Sequence, residues 1–159
     1  MQHVEKQESI KRQNIPGATA TETFFTPMPR VVIVGAGFGG LQVARALADV
    51  PVQVTVIDRN NHHLFQPLLY WVASAELSPA EISSPIRHIL RKQKNTTVLM
   101  EEVTGIDVVQ QRVLMGERAI AYDYLVLATG AQDNYFGHPE WSTYAVGLKS
   151  IQEATNVRS

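Results

Sequence analysis

The sequence predicts an α/β fold built on a parallel sheet, with a short antiparallel meander beside it. Three observations carry that prediction. Arg30 to Val34 (RVVIV) and Tyr124 to Ala128 (YLVLA) are short apolar runs of the kind buried on both faces of a parallel sheet. The first run opens into a glycine turn, Gly35 to Gly40, and then into a segment with helical spacing. Between the two runs lie several short strand-like stretches broken by polar or glycine turns.

At 159 residues the chain is about one domain and long enough to bury a core. It is 45% apolar and 18% charged, a globular balance. Fourteen basic residues against 15 acidic ones give a formal net charge of −1, with no electrostatic footprint for nucleic acid. There is no cysteine, so disulfides, thiolate metal sites and catalytic thiols are excluded within the chain, and the cytosol is permitted. The apolar stretch Val31 to Leu41 is broken by Gly35, Gly37, Gly39 and Gly40 and is too short to span a bilayer. Residues 1–28 are polar and have no secretory apolar core; they read as a flexible leader before a folded domain at 29–159.

Each element follows in order. After RVVIV and the glycine turn, Val43, Ala44, Leu47 and Ala48 recur at helical spacing, and Pro51 is expected to stop the helix. Val52 to Ile57 (VQVTVI) is a second strand, completing a βαβ unit. Residues 59–78 read as less regular. Ser78-Pro79-Ala80-Glu81 has the pattern of a capping box, which predicts a helix, restarted at Ser84-Pro85, with Ile82, Ile86, Ile89 and Leu90 as its buried stripe. Arg87, Arg91, Lys92 and Lys94 then form either a solvated basic face or a surface for anionic membrane. Thr97 to Met100 is a third strand, and Val103 to Val109, Val113 to Met115 and Ala119 to Ala121 are the meander. Asn95-Thr96-Thr97 has the form of a glycosylation sequon and reads as a loop.

The chemistry lies in Gly35-Ala36-Gly37-Phe38-Gly39-Gly40, a G-x-G-x-x-G pattern between a strand and a helix. Gly35 permits the tight turn, Gly37 lets the backbone approach a pyrophosphate, and Gly40 lets the helix pack on the strand. The helix N-terminus offers its free N–H groups to phosphate oxygens. Asp58 ends the second strand 18 residues after Gly40, placed to accept hydrogen bonds from ribose hydroxyls. Ala128-Thr129-Gly130 closes a buried strand at the ligand edge of such a sheet. The fold is thus Rossmann-like, and the fingerprint alone does not choose between FAD and NAD.

RVVIVGAGFGG, VIDRNNHHLFQPLLY, LSPAEISSPIR, YDYLVLATGA and AVGLKSIQEA together resemble the N-terminal part of type II NADH dehydrogenases, over about residues 30–159. The resemblance implies non-covalent FAD in this domain. It matches Gly35, Ala36, Gly37, Phe38, Gly39 and Gly40 to the pyrophosphate loop, and Asp58 and Arg59 to the ribose end. It matches His63, Pro67 and Leu68 to a stretch running toward the flavin, the Val103 backbone to the adenine, and Thr129 and Gly130 to the second FAD turn. Trp71 stands where many relatives carry glutamine. Read from the residues alone, His63 is equally a structural histidine, Arg59 a surface charge, and Phe65, Leu68, Leu69, Tyr70 and Trp71 plain core.

The implied reaction is that of a non-proton-pumping NADH:quinone oxidoreductase: hydride from NADH to FAD, then electrons to a quinone. That takes two dinucleotide sites, and one fingerprint is present. The chain is therefore expected to be the FAD-binding part of a two-domain flavoprotein, ending inside the helix that leads to the NADH-binding domain. It is expected to be inactive alone, and to associate as a homo-oligomer or with a complementary fragment. The resemblance implies a cytoplasmic protein, peripheral on the inner face of a membrane. Two alternatives stand: an orphan FAD- or NAD-binding module without turnover, or the NAD-binding domain of another dehydrogenase. A visible spectrum of the purified protein separates flavin from NAD.

Overall fold

A computed structural model describes residues 27–158. The polar leader expected over 1–28 lies, apart from Pro27 and Met28, outside the described residues.

Four strands, β1 (Arg30–Val34), β2 (Gln53–Asp58), β5 (Thr96–Met100) and β9 (Tyr124–Leu127), form a parallel sheet in the order β5-β2-β1-β9. The register runs Val34↔Ile57 between β1 and β2, Val34↔Leu127 between β1 and β9, and Asp58↔Met100 between β2 and β5. β1 is central because its apolar residues serve both faces. Val31 and Ile33 join Val54 and Val56 beneath α1 (Phe38–Ala46) and α3 (Ile86–Leu90), burying Leu41, Ala44, Ile86 and Leu90. Val32 and Val34 face the other way, with Ile57, onto Val113, Met115 and Tyr122. Alternate strand residues point to opposite faces, so a strand covered on both sides is apolar throughout.

The second cover is the expected meander, β6 (Gly105–Asp107), β7 (Arg112–Met115) and β8 (Arg118–Ala121), all antiparallel. Its first strand is shorter than the expected 103–109. Val108 and Val109 are instead exposed on the turn before Arg112.

Three further sequence expectations are corrected. The helix after the glycine turn ends at Ala46, not at Pro51. Carbonyls at its end and in the turn beyond it are taken by side chains from the turn between α3 and β5. Asn95 Nδ2 donates to the carbonyls of Leu47 (2.8 Å) and Val50 (3.2 Å), and Gln93 Nε2 donates to that of Ala44 (2.8 Å). Such partners satisfy carbonyls that a helix end leaves unpaired. The apparent sequon asparagine is thus committed to holding α1.

Only the Glu81 half of the expected capping box forms, and it closes a turn and not a helix. The Ser78 N–H donates to Glu81 Oε2 at 2.7 Å, while residues 79–82 are a turn. Residues preceding a proline are pushed toward extended backbone. Ser83–Pro85 is accordingly a strand, β4, and the helix starts only at Ile86. The expected stripe is split: Ile86 and Leu90 join the α1 core, whereas Ile82 joins a separate cluster.

The segment 59–78, read as less regular, holds real structure. β3 (His62–Leu64) pairs antiparallel with β4, His63 opposite Ser84. A short 3-10 turn (Gln66–Leu68) leads into α2 (Leu69–Ala73). Leu69 and Val72 pack with Ile82 and with Ala154 of α4 (Ile151–Arg158), which folds back onto α2. No helix among the described residues is long and apolar enough to cross a membrane.

Candidate cofactor site

The site is built at the carboxyl ends of β1, β2 and β9. The Gly35 N–H donates to the Ile57 carbonyl at 2.8 Å, and the Ala128 N–H donates to the Val34 carbonyl at 2.8 Å. These bonds carry both parallel ladders past the last strand residues. They bring Asp58 and the Ala128–Gly130 turn to the glycine loop. In doubly wound sheets this edge is where ligands bind.

The three fingerprint glycines differ in what surrounds them. Gly35 has φ +99°, a left-handed conformation that suits glycine. A Cβ there would also collide with the Ala128 carbonyl. A Cβ on Gly40 would collide with the carbonyl oxygen of Gly35 and press on Ile33. Beside Gly37 there is open space, with nothing within 4 Å of a Cβ position. Two glycines are therefore closed by the fold, and the third opens outward.

α1 begins at Phe38 with Gly37 as an extended N-cap, no side-chain cap and no acidic residue in its first turn. The first N–H groups of that helix point out of its end, with the positive end of the helix dipole behind them. The arrangement suits an anion. The residues present thus fit a pyrophosphate: an open approach at Gly37, uncapped amides, and Gly130 at φ +79° on the adjacent turn with nothing within 4 Å of its Cβ position.

Asp58 is half-buried and already engaged with backbone. Its Oδ2 accepts from the Ala36 N–H and its Oδ1 from the Asn60 N–H, each at 2.7 Å. A carboxylate has about four acceptor positions, so each oxygen keeps capacity for a ribose hydroxyl. Arg59 is exposed on the turn that follows.

His63 lies on β3, at the other side of the loop. Its Nδ1 is 3.1 Å from the Ala36 carbonyl oxygen. Because that oxygen only accepts, Nδ1 is the protonated, donating nitrogen. Phe38 meets the His63 ring edge-on, centroids 4.9 Å apart at 87°, and meets Phe65 at 5.5 Å. Pro67 and Leu68 sit on the 3-10 turn that Phe65 opens, Pro67 exposed and Leu68 half-buried against the α2 cluster. Val103 follows β5, half-buried against the meander core and close in sequence to Glu101, whose N–H donates to the Asp58 carbonyl at 3.1 Å.

The structure therefore gathers Gly35, Ala36, Gly37, Phe38, Gly40, Asp58, His63 and Ala128 into one contact set. Phe65, whose ring meets Phe38 of that set, is the residue that sequence reasoning left as plain core. Its signal was an aromatic two residues after His63, the spacing that puts both side chains on the same side of an extended segment.

The fold is an α/β domain with a parallel sheet and antiparallel strands, and the glycine loop lies at its ligand edge. Residues 29–159 match the family of pyridine nucleotide-disulphide oxidoreductases, and the chain belongs to that family. It is 48% identical over 133 residues to type II NADH:quinone oxidoreductase NdhA of Mycobacterium tuberculosis, covering 81% of this chain and 28% of the relative. The structure of NDH2 from Plasmodium falciparum in complex with NADH superposes with TM-score 0.72 at 27% identity, over 83% of this chain and 28% of that one. A sulfide:quinone oxidoreductase from Aquifex aeolicus superposes with TM-score 0.70 at 25% identity, covering 82% of this chain and 30% of that one. The chain thus spans under a third of the length of these relatives.

Proposed function

We propose that residues 29–159 are the FAD-binding part of an NADH:quinone oxidoreductase. The observation that carries this is the contrast among the glycines: Gly35 and Gly40 are closed by backbone, while Gly37 faces open space at an uncapped helix end. The similarity to type II NADH:quinone oxidoreductases supplies the reaction class.

FAD would be held by the amides of the 37–40 turn at its pyrophosphate, by Asp58 at its adenosine ribose, and by the Thr129–Gly130 turn. Arg59 would lie at the ribose end, the Val103 backbone against the adenine, and Phe38, His63, Pro67 and Leu68 along the route toward the flavin. When bound, FAD supplies the redox chemistry, accepting hydride and passing electrons on. The protein's part is orientation and the exclusion of water. Asp58 disfavours a ribose phosphate by charge, and the backbone amides give directed hydrogen bonds that cost no side-chain ordering.

We propose also that the 159 residues do not oxidise NADH alone. They hold one glycine fingerprint, and hydride transfer between nicotinamide and flavin takes two dinucleotide sites. The complete enzyme would act at a membrane surface, where quinones reside. The edge strand β9, with Tyr124 and Leu127 exposed, would be the face for association with a complementary segment or a second copy.

The test is equilibrium binding of FAD to the full chain, followed by flavin fluorescence. Binding that is abolished by Gly37→Val and weakened by Asp58→Ala supports the reading. No binding, or binding indifferent to both substitutions, overturns it. An NADH-dependent quinone reduction by the isolated chain would overturn the statement that it is inactive alone.

A further inference from the structure

Ala36 is held at both of its peptide groups by side chains from elsewhere in the chain. Its N–H donates to Asp58 Oδ2 at 2.7 Å, and its carbonyl accepts from His63 Nδ1 at 3.1 Å. Ala36 itself is buried, at 1% exposure. The two partners come from different elements. Asp58 ends β2, and His63 sits on β3, which is held by its antiparallel pairing to β4. The His63 ring is kept in place by the edge of Phe38, the first residue of α1.

In a trans peptide the carbonyl and the following N–H point in opposite directions. Holding the Ala36 carbonyl toward His63 therefore aims the Gly37 N–H to the other side. Glycine at position 37 gives that peptide no side chain of its own to resist rotation. A loop with two fingerprint glycines around one alanine has backbone freedom that must be removed before its amides can converge on an anion.

We propose that His63 is a positioning residue: its Nδ1–H, acting through the Ala36 carbonyl and opposed by Asp58 on the Ala36 N–H, fixes the Ala36–Gly37 peptide so that the Gly37 N–H faces the pyrophosphate. This rests on the FAD reading for its purpose, but the clamp is a property of the chain without ligand. It also ties the ribose end to the flavin-side segment, since one alanine is shared by residues from both.

The test compares His63→Phe, which keeps a ring beside Phe38 and removes the donor, with His63→Asn, whose side-chain amide can place an N–H near the position of Nδ1. Amide hydrogen exchange at Ala36, whose N–H is held by Asp58, is read in the full chain without nucleotide, and FAD affinity is then titrated. The expected result is faster exchange at Ala36 and about five- to tenfold weaker FAD binding in His63→Phe, the loss of one oriented hydrogen bond. His63→Asn is expected to restore both to within about threefold. A merely structural histidine would lower the melting temperature in both variants without this split between them. If wild-type binds FAD and His63→Phe leaves its affinity and the exchange of Ala36 unchanged, the clamp is refuted and the FAD reading stands. If wild-type binds no FAD, that reading fails, and the exchange at Ala36 still decides the clamp. Should His63→Phe fail to fold, His63→Leu, which also lacks the donor, takes its place: faster Ala36 exchange supports the clamp, and unchanged exchange overturns it.

Discussion

The α-carbon of Gly40 faces the carbonyl oxygen of Gly35 so closely that a single added methyl would overlap it. The helix and the strand it follows are docked through that contact. Gly40→Ala is expected to destabilise the fold by about 1–3 kcal/mol, the usual cost of overpacking a filled site. Gly37→Ala meets nothing within 4 Å and keeps an ordinary φ of −69°, so it is expected to change stability by under about 1 kcal/mol. Urea unfolding midpoints of the two variants check this. Equal losses would mean that the glycines do not divide their tasks as described.

Arg30 and Asp123 bind the start of β1 to the approach of β9. Arg30 donates through its backbone N–H (2.7 Å), its Nε (3.1 Å) and its Nη2 (2.8 Å) to the one carboxylate. The Arg30 side chain, and next its backbone N–H, lower the Asp123 pKa to about 2 from 3.8. A depressed folded-state pKa gives stability that is full above the unfolded value and disappears as the pH falls through the folded one. The contribution is therefore lost between about pH 4 and pH 2. Urea midpoints measured across that window should fall more steeply for wild-type than for Asp123→Asn. Parallel curves would refute the assignment.

Glu153 organises the start of α4. Its Oε2 accepts from the Lys149 N–H, the Ser150 N–H and the Ser150 hydroxyl, at 2.8, 2.8 and 2.9 Å. These bonds, led by the Lys149 amide, hold its carboxyl below the usual range. Glu153→Ala is expected to cost about 1 kcal/mol, as for loss of a helix cap. Because Ala154 seats α4 on Leu69, Val72 and Ile82, faster amide exchange should appear in α2 as well as in α4. Exchange confined to α4 would show that the two helices open independently.

Asn95, in the turn before β5, holds the end of α1. Asn95→Asp keeps the shape but removes the donor, leaving the Leu47 and Val50 carbonyls facing a carboxylate. A loss of about 1–3 kcal/mol is expected, the penalty for unpairing such groups. Asn95→Asp with wild-type thermal stability would show that water replaces the side chain at no cost.

Much of this was legible in the residues. RVVIV had to be buried on both sides, because a run without polar alternation leaves no face for water. Gly35 to Gly40 between a strand and a helix, with Asp58 at the end of the next strand, marked the loop that the fold places at the carboxyl edge of the sheet. The region 59–78 was not legible, because β3 is three residues long and its partner β4 lies about twenty residues away, hidden behind a sequence pattern that reads as a helix start. Ser84-Pro85 overrode that pattern locally, and pairing with β3 gave the extended backbone somewhere to go.

What the sequence determined by itself was local: which long apolar runs are strands of the parallel sheet, and where the loop after β1 needs glycine. The tertiary structure decided which side chains hold that loop in shape. Asp58 and His63 reach the same alanine only because the β1–β2 register and the β3–β4 pairing bring them there. Hydrogen bonds act over about 3 Å, and no spacing along the chain reveals which distant groups will come that close.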